Sequence, residues 1–139
     1  HRQIQRHKKD FDFLGFTFFN TKTRGGKYRL GVRTSKKKLK AKKQEVKGWM
    51  KTRLTKPVSQ TMELIQLALA GHCNYYGVSG NFHIIQNFWN YVKYSCYRMF
   101  NRRSQKRSMR REVFQRIWDF YVKKPRLTKD IWKWEPKLV

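Results

Sequence analysis

The sequence has few side chains that could catalyse a reaction or bind a metal ion, and their spacing does not place them in one site. Eight carboxylates are spread along the chain: Asp10, Asp12, Glu45, Glu63, Glu112, Asp119, Asp130 and Glu135. Two-metal phosphoryl transfer needs carboxylates that converge on one site. Asp10 and Asp12 are two residues apart, but they enter an aromatic segment, which favours a solvated strand start over a metal pair. The sequence therefore predicts no metal site and no catalytic residue.

The histidines and cysteines offer little further chemistry. His72 is next to Cys73, but adjacent residues seldom project into one site, so we do not predict a Cys–His nucleophile. Cys73 and Cys96 lack a CxxC spacing, which disfavours a disulfide framework and a zinc knuckle and favours a reducing compartment. The sequence also contains no Walker-type or Rossmann-type glycine motif.

The charge of the chain is more informative than these scattered groups. The 34 Lys and Arg face 8 Asp and Glu, which gives a formal net charge of +26. A basic excess of this size is typical of a protein that binds nucleic acid. The 5 Trp, 7 Tyr and 10 Phe favour a folded domain over a disordered basic tail. The sequence holds no apolar run long enough to span a bilayer and no signal-peptide core.

Two segments hold the cations that we predict to contact phosphate. Between residues 35 and 53, nine cations accompany a single anion, Glu45. Solvated helix faces ordinarily mix both signs, so this one-sided charge favours phosphate contact over a merely solvated face. The predicted contacts of the first segment are Lys36, Lys37, Lys40, Lys43, Lys47, Lys51 and Arg53. Those of the second segment are Arg98, Arg102, Arg103, Lys106, Arg107 and Arg110.

Aromatic side chains admit two interpretations. Stacking on unpaired bases is one of them, and its candidates are Trp49, Trp89, Tyr91, Tyr94 and Trp118. Aromatic residues at helical spacing more often belong to a core, and we favour the core for Trp89 and Trp118.

Alternating patterns near the N-terminus predict an antiparallel β-hairpin. The aromatic run that begins at Phe11 and the alternation over 28–33 both have the period of a half-buried strand. A Gly-Gly pair at 25–26 lies between them and is a turn signal. We therefore expect Phe11–Lys22 to pair with Lys27–Arg33.

Apolar residues at helical spacing predict three to four helices after the hairpin. The first covers Lys36–Leu54, with Ser35 as its N-cap. The second is capped by Ser59 and is broken or kinked by Gly71. Its inward face is predicted to comprise Met62, Leu64, Ile65, Leu67, Ala68 and Leu69.

Two further helices complete the predicted bundle. The third runs from about Phe82 to Asn101, after a loop at 78–81 that supplies its own caps. Its apolar stripe is predicted to be Ile85, Phe88, Trp89, Val92, Cys96 and Met99 or Phe100. The fourth is short, Met109–Tyr121, and its apolar residues are Val113, Phe114, Ile117, Trp118 and Tyr121.

The fold class is therefore mainly α, with an N-terminal antiparallel β-hairpin followed by a three- to four-helix bundle. We divide the chain into a hairpin over residues 1–34, a helical nucleic-acid-binding domain over 35–128 and an irregular tail over 129–139. The chain begins at His1 rather than Met, so we expect it to be a fragment of a longer protein.

Two strings in this sequence resemble motifs of one known family. Residues 11–16, Phe-Asp-Phe-Leu-Gly-Phe, resemble the segment that closes the palm of group II intron reverse transcriptases. Residues 70–76, Ala-Gly-His-Cys-Asn-Tyr-Tyr, resemble the maturase-specific motif of the same family, and the positions carried over are Gly71, Asn74, Tyr75 and Tyr76. The resemblance covers Phe11 to Thr128. It departs from the family at His72 and Cys73, where Trp and Ala are usual.

The resemblance implies that residues 1–34 are the end of the palm and residues 35–128 the thumb, or maturase domain. Its partners would be group II intron RNA and a template–primer duplex, and the family's target DNA and an upstream palm domain are further partners that it allows. The chain includes neither the polymerase signature nor an HNH-type region, so we expect no polymerase or nuclease activity from it alone. Mg²⁺ is expected only in the palm, and the chain itself is expected to bind no cofactor.

Three functions remain open at this point. The first is the RNA-binding thumb just described, which assists splicing and mobility. The second is the C-terminal part of an active reverse transcriptase whose palm is missing, and the third is a basic ribosome-associated protein. We expect a bacterial cytoplasm or an organellar matrix, neither secretion nor a membrane. Within the motif we expect Tyr75 to be packed more deeply than Tyr76, and Asn74 to satisfy backbone groups at a helix break.

Overall fold

The aromatic N-terminal segment forms two strands rather than one, because Leu14 and Gly15 interrupt it. In this computed structural model, which describes residues 10–22, 24–103 and 109–128, both residues have positive φ, 53° and 85°. Strand β1 (Phe11–Phe13) turns through them into β2 (Phe16–Lys22), and β3 (Tyr28–Thr34) pairs with β2 in turn. All pairings are antiparallel, in the order β1-β2-β3. The predicted hairpin is confirmed, with β1 as an additional short strand.

Four helices follow within the described residues, so the predicted fold class is confirmed. They are α1 (Lys36–Lys51), α2 (Val58–Tyr76), α3 (Phe82–Arg102) and α4 (Arg111–Tyr121). Ser35 caps α1 as predicted, since its side-chain oxygen accepts a hydrogen bond from the Lys38 backbone N–H at 3.1 Å. The predicted α3 differs from the observed helix by one residue at its C-terminal end.

Helix α2 corrects two predictions about its ends. It begins at Val58, directly after Pro57, so Ser59 lies inside the first turn and is not the cap. Gly71 does not break it, because helix-interior glycine costs about 1 kcal/mol and the burial of the turn that follows outweighs this. The helix ends instead at Gly77, where a Cβ would collide with the carbonyl oxygen of Cys73.

The core lies where α2, α3 and α4 meet, with Met50 contributed by α1. The predicted stripe of α3 is confirmed, and all seven of its candidates are buried. On α2, Met62, Ile65 and Leu69 are buried as predicted, whereas Leu64, Leu67 and Ala68 are exposed. The predicted inward face of α2 was therefore too wide.

The buried face of the short helix α4 is narrower than predicted. Phe114 and Trp118 are buried, whereas Val113 is exposed because it points about 100° around the helix from Phe114. The burial of Trp89 and Trp118 confirms that both belong to the core.

A buried asparagine joins the sheet to the helices. Asn81 is fully buried, and its side-chain oxygen accepts a hydrogen bond from the Thr34 N–H at 2.9 Å. Its amide nitrogen donates to the hydroxyl of Thr34 and to the carbonyl oxygen of Tyr76, each at 2.9 Å. Asn81 occupies the N-cap position of α3, so the loop at 78–81 supplies the cap residue as predicted, but its side chain bridges the end of β3 and the end of α2 instead of capping α3.

Candidate nucleic-acid interface

Five lysines of α1 form a single line along the helix. Lys36, Lys40, Lys43, Lys47 and Lys51 recur every three or four residues, the spacing that keeps side chains on one face. We call these five residues the lysine stripe. Four of them are exposed and Lys43 is half-buried. Lys37, the remaining candidate of this helix, is exposed but lies off the stripe, because each residue turns the helix by roughly 100°.

The lysine stripe lies beside α3 rather than alone in solvent. The ammonium of Lys43 is 5.4 Å from the centre of the Tyr91 ring. Farther along, Lys47 and Lys51 line a shallow groove of about 250 Å³ together with residues of α3. The α3 residues in this groove include Tyr91, Tyr94, Arg98 and Arg102. The two basic segments, separated by more than forty residues in sequence, therefore share one surface.

Aromatic rings interleave with these cations. The Arg98 guanidinium lies 5.7 Å from the centre of the Tyr94 ring, and that ring is 58% exposed. Tyr91 is half-buried. Cations that track a backbone beside exposed aromatic faces are the combination that grips nucleic acid without reading its sequence. Of the stacking candidates, Tyr94 is thus the one placed best for a base.

Other predicted contacts are placed differently. Arg53 donates to the side-chain oxygens of Thr61 at 3.1 Å and Gln60 at 3.2 Å, and it covers the Trp49 ring, so it ties the end of α1 to α2. Arg103 is half-buried over Phe100.

Three candidates of the second segment remain. Arg110 is exposed and directly precedes α4. Lys106 and Arg107 lie outside the described residues, so their predicted contacts stay predictions.

The two strings that carry the family resemblance meet in the fold. The hydroxyl of Tyr75 donates to the carbonyl oxygen of Leu14 at 2.5 Å, and its ring stacks on Phe16 with centroids 5.5 Å apart. A Cβ on Gly15 would lie 2.8 Å from the Tyr76 hydroxyl, so the turn needs glycine there for space as well as for its positive φ. The hairpin is therefore seated on the C-terminal end of α2.

The burial of the paired tyrosines is the reverse of the prediction. Tyr76 is 3% exposed and belongs to the core, whereas Tyr75 is 46% exposed. Adjacent helical residues point about 100° apart, and the inward direction falls on Tyr76. Asn74 is exposed, and it is the Asn81 side chain that satisfies a backbone group at the end of α2, the carbonyl oxygen of Tyr76.

His72 and Cys73 face different parts of the fold. The His72 ring stacks on Phe88 with centroids 4.3 Å apart, while the Cys73 thiol donates to the carbonyl oxygen of Arg126. The expectation that these neighbours form no Cys–His nucleophile agrees with this geometry. Burial, with a smaller effect from the charge of Lys42, lowers the pKa of His72 from 6.5 to about 4.

The lowered pKa of His72 makes stability depend on pH. The unfolded chain takes up this proton near pH 6.5 and the folded chain only near pH 4, so stability present above pH 6.5 is lost as pH falls between these values. Urea unfolding at pH 7 and at pH 4.5 measures how far the free energy of unfolding falls between these two pH values. We expect this fall to be smaller in His72→Phe than in the parent by about 2 kcal/mol. His83→Phe, at an exposed position, is the control and should keep the parent's pH dependence. An equal pH dependence in parent and His72→Phe would contradict the assignment.

No family model, curated protein or solved structure matches this chain. Among the residues described, no group of three or more His, Cys, Asp or Glu is arranged to hold a metal ion. The described helices include none that combines the length and apolar character needed to cross a membrane. Two structural features therefore bear on function: the basic surface that α1 and α3 share, and the contact between the segments 11–16 and 70–76.

Proposed function

We propose that this chain is an RNA-binding domain, the thumb or maturase domain of a group II intron-encoded protein. It binds intron RNA to assist splicing and mobility, and it clamps the template–primer duplex. The observation that carries the proposal is the surface on which Lys47 and Lys51 of the lysine stripe lie beside Arg98, Arg102 and Tyr94. The resemblance of the two strings at 11–16 and 70–76 supplies the family.

The dimensions of the lysine stripe suit a nucleic-acid backbone. From Lys36 to Lys51 the helix rises by roughly 22 Å, at about 1.5 Å per residue. One strand of a duplex carries a phosphate about every 3.4 Å of axis, so the stripe is as long as roughly six phosphates. Five lysines in that length neutralise most of them. Within the stripe itself no carboxylate interrupts the charge, since Glu45 pairs at 3.7 Å with Lys42 on another side of α1.

In this proposal the chain contributes binding rather than catalysis. The polymerase carboxylates and Mg²⁺ belong to a palm domain that precedes it, and target DNA is a further partner on the same surface. Both cysteines are free, which supports a reducing compartment, either a bacterial cytoplasm or an organellar matrix.

The experiment that tests the proposal is recovery of the RNA bound in cells. The tagged chain is crosslinked in a host that carries a group II intron, and the bound RNA is sequenced. We expect intron RNA to be enriched over its share of total RNA. Enrichment of ribosomal RNA without intron RNA would overturn the proposal in favour of a ribosome-associated protein.

A further inference from the structure

An open cleft of about 1210 Å³ separates α1 from α2. It exists because α1 packs along α3 and leaves one side of α2 uncovered. Core residues such as Met50, Ile65 and Phe88 form its floor, and the exposed Leu64 and Ala68 line the α2 side. This cleft explains why part of the predicted inward face of α2 is exposed. The cleft and the lysine stripe are on different sides of α1, so the cleft is a separate feature.

Two helix-interior glycines line this cleft from opposite sides. Gly48 belongs to α1 and Gly71 to α2, and both are exposed. A Cβ built on either one meets no atom within 4 Å among the described residues. Glycine is unfavourable in a helix interior, and here no packing contact within the described chain requires it. Such glycines are suited to the close approach of a ligand to the backbone.

The polar groups of the cleft indicate which ligand. His72 lines it, is 8% exposed, and has an Nε2 atom without a hydrogen-bond partner among the described residues. A buried polar atom of this kind is normally satisfied by a partner, which a ligand can supply. Lys38 lines the α1 side together with the ion pair of Lys42 and Glu45, and Tyr75 is 46% exposed.

We propose that the cleft between α1 and α2 holds an unpaired nucleobase of the bound RNA, while the lysine stripe holds the backbone. The base lies between apolar walls beside Tyr75 and hydrogen-bonds toward His72, and Lys38 neutralises a flanking phosphate. An amphipathic protein helix would match the apolar walls but would leave the His72 nitrogen without a partner. The inference rests on the proposed function, because it names the part of the RNA that this cleft recognises.

The test compares two RNA hairpins that differ by one bulged 2-aminopurine. The parent should bind the bulged RNA about tenfold more tightly, the size typical of stacking one base, and the fluorescence of the bulge should fall. The double variant Gly48→Leu/Gly71→Leu fills the cleft and should bind both hairpins alike, with the parent's affinity for the paired one. Its melting temperature should equal or exceed the parent's, because leucine is a better helix former than glycine.

The matched control is Ala41→Leu, an exposed position of α1 outside the cleft. It should keep the tenfold preference. Equal binding of both hairpins by the parent, with unchanged fluorescence, would overturn the cleft proposal and leave the proposed function intact. A preference that survives in the double variant would overturn it too, because the base would then lie elsewhere. Failure to bind even the paired hairpin would instead count against the proposed function.

Discussion

Replacing Lys40, Lys43, Lys47 and Lys51 together with glutamine is expected to lower affinity for an RNA duplex roughly a thousandfold at about 0.1 M salt. Each lysine that neutralises a phosphate releases condensed counterions, and this release contributes about 0.9 to the slope of log affinity against log salt. Losing four contacts should therefore reduce the slope by about 3–4. The fold should survive, because three of these side chains are exposed and Lys43 is half-buried.

The control for the lysine variant removes the same charge from another part of the chain. Arg111, Arg116, Lys123 and Lys124 are exposed in or just after α4 and lie outside the α1–α3 groove. Replacing these four with glutamine lowers net charge equally but should reduce the slope much less. Equal losses in both variants would mean that net charge, rather than the lysine stripe, governs binding.

Tyr76→Ala is expected to destabilise the fold by about 3–5 kcal/mol, the range for removing a fully buried aromatic side chain. Its ring lies 5.0 Å from that of Phe16 and 4.7 Å from that of His72, centre to centre, so truncation opens a cavity where the hairpin meets α2. Tyr75→Ala should cost less, about 1–2 kcal/mol, because the side chain is exposed and loses one hydrogen bond and its ring contacts with Phe16 and Tyr76. The measurement is urea unfolding of both variants.

A third variant separates burial from the mere loss of a tyrosine. Tyr94→Ala, at an exposed position of α3, should change stability by less than about 0.5 kcal/mol. A larger loss for Tyr75→Ala than for Tyr76→Ala would show that the sequence-based order was right and that the burial pattern at the end of α2 is wrong.

The features that sequence alone predicted well are those with a strong local period. Helix α3 was placed within one residue because its apolar residues recur over about four turns and Arg102 follows them. The hairpin was placed because alternation on both sides of a Gly-Gly pair leaves little choice of register. Ser35 was identified as a cap because its position directly before a helical pattern has a local physical reason.

The features that sequence missed depend on which elements pack together. Periodicity marked Leu64 and Ala68 as apolar, but it could not show that α1 would lie on α3 and leave them uncovered. Periodicity also could not show which of Tyr75 and Tyr76 is buried, since a helix can continue with either side chain facing the core. Asn81 carried no local signal, because its partners Thr34 and Tyr76 come from two other elements.

The sequence predicts which residues form the shared basic surface, but it does not predict that the two segments lie side by side. The cations of the two segments are predicted separately, and the packing of α1 on α3 places Lys47 and Lys51 beside Arg98 and Arg102. A count of charged residues does not show which cations are free to bind a ligand. The guanidinium of Arg53 donates hydrogen bonds to Thr61 and Gln60 instead. A cation in a basic run can thus serve the fold rather than a ligand.

The most direct measurement of the central claim is to map where RNA touches the chain. Ultraviolet crosslinking of the chain to an RNA duplex, followed by mass spectrometry of the crosslinked peptides, reports these contacts residue by residue. We expect crosslinks in α1 and at Tyr91 and Tyr94 of α3, and their loss in the four-lysine variant. Crosslinks confined to α4 or to the turn between β2 and β3, with α1 unmarked, would contradict binding through the lysine stripe.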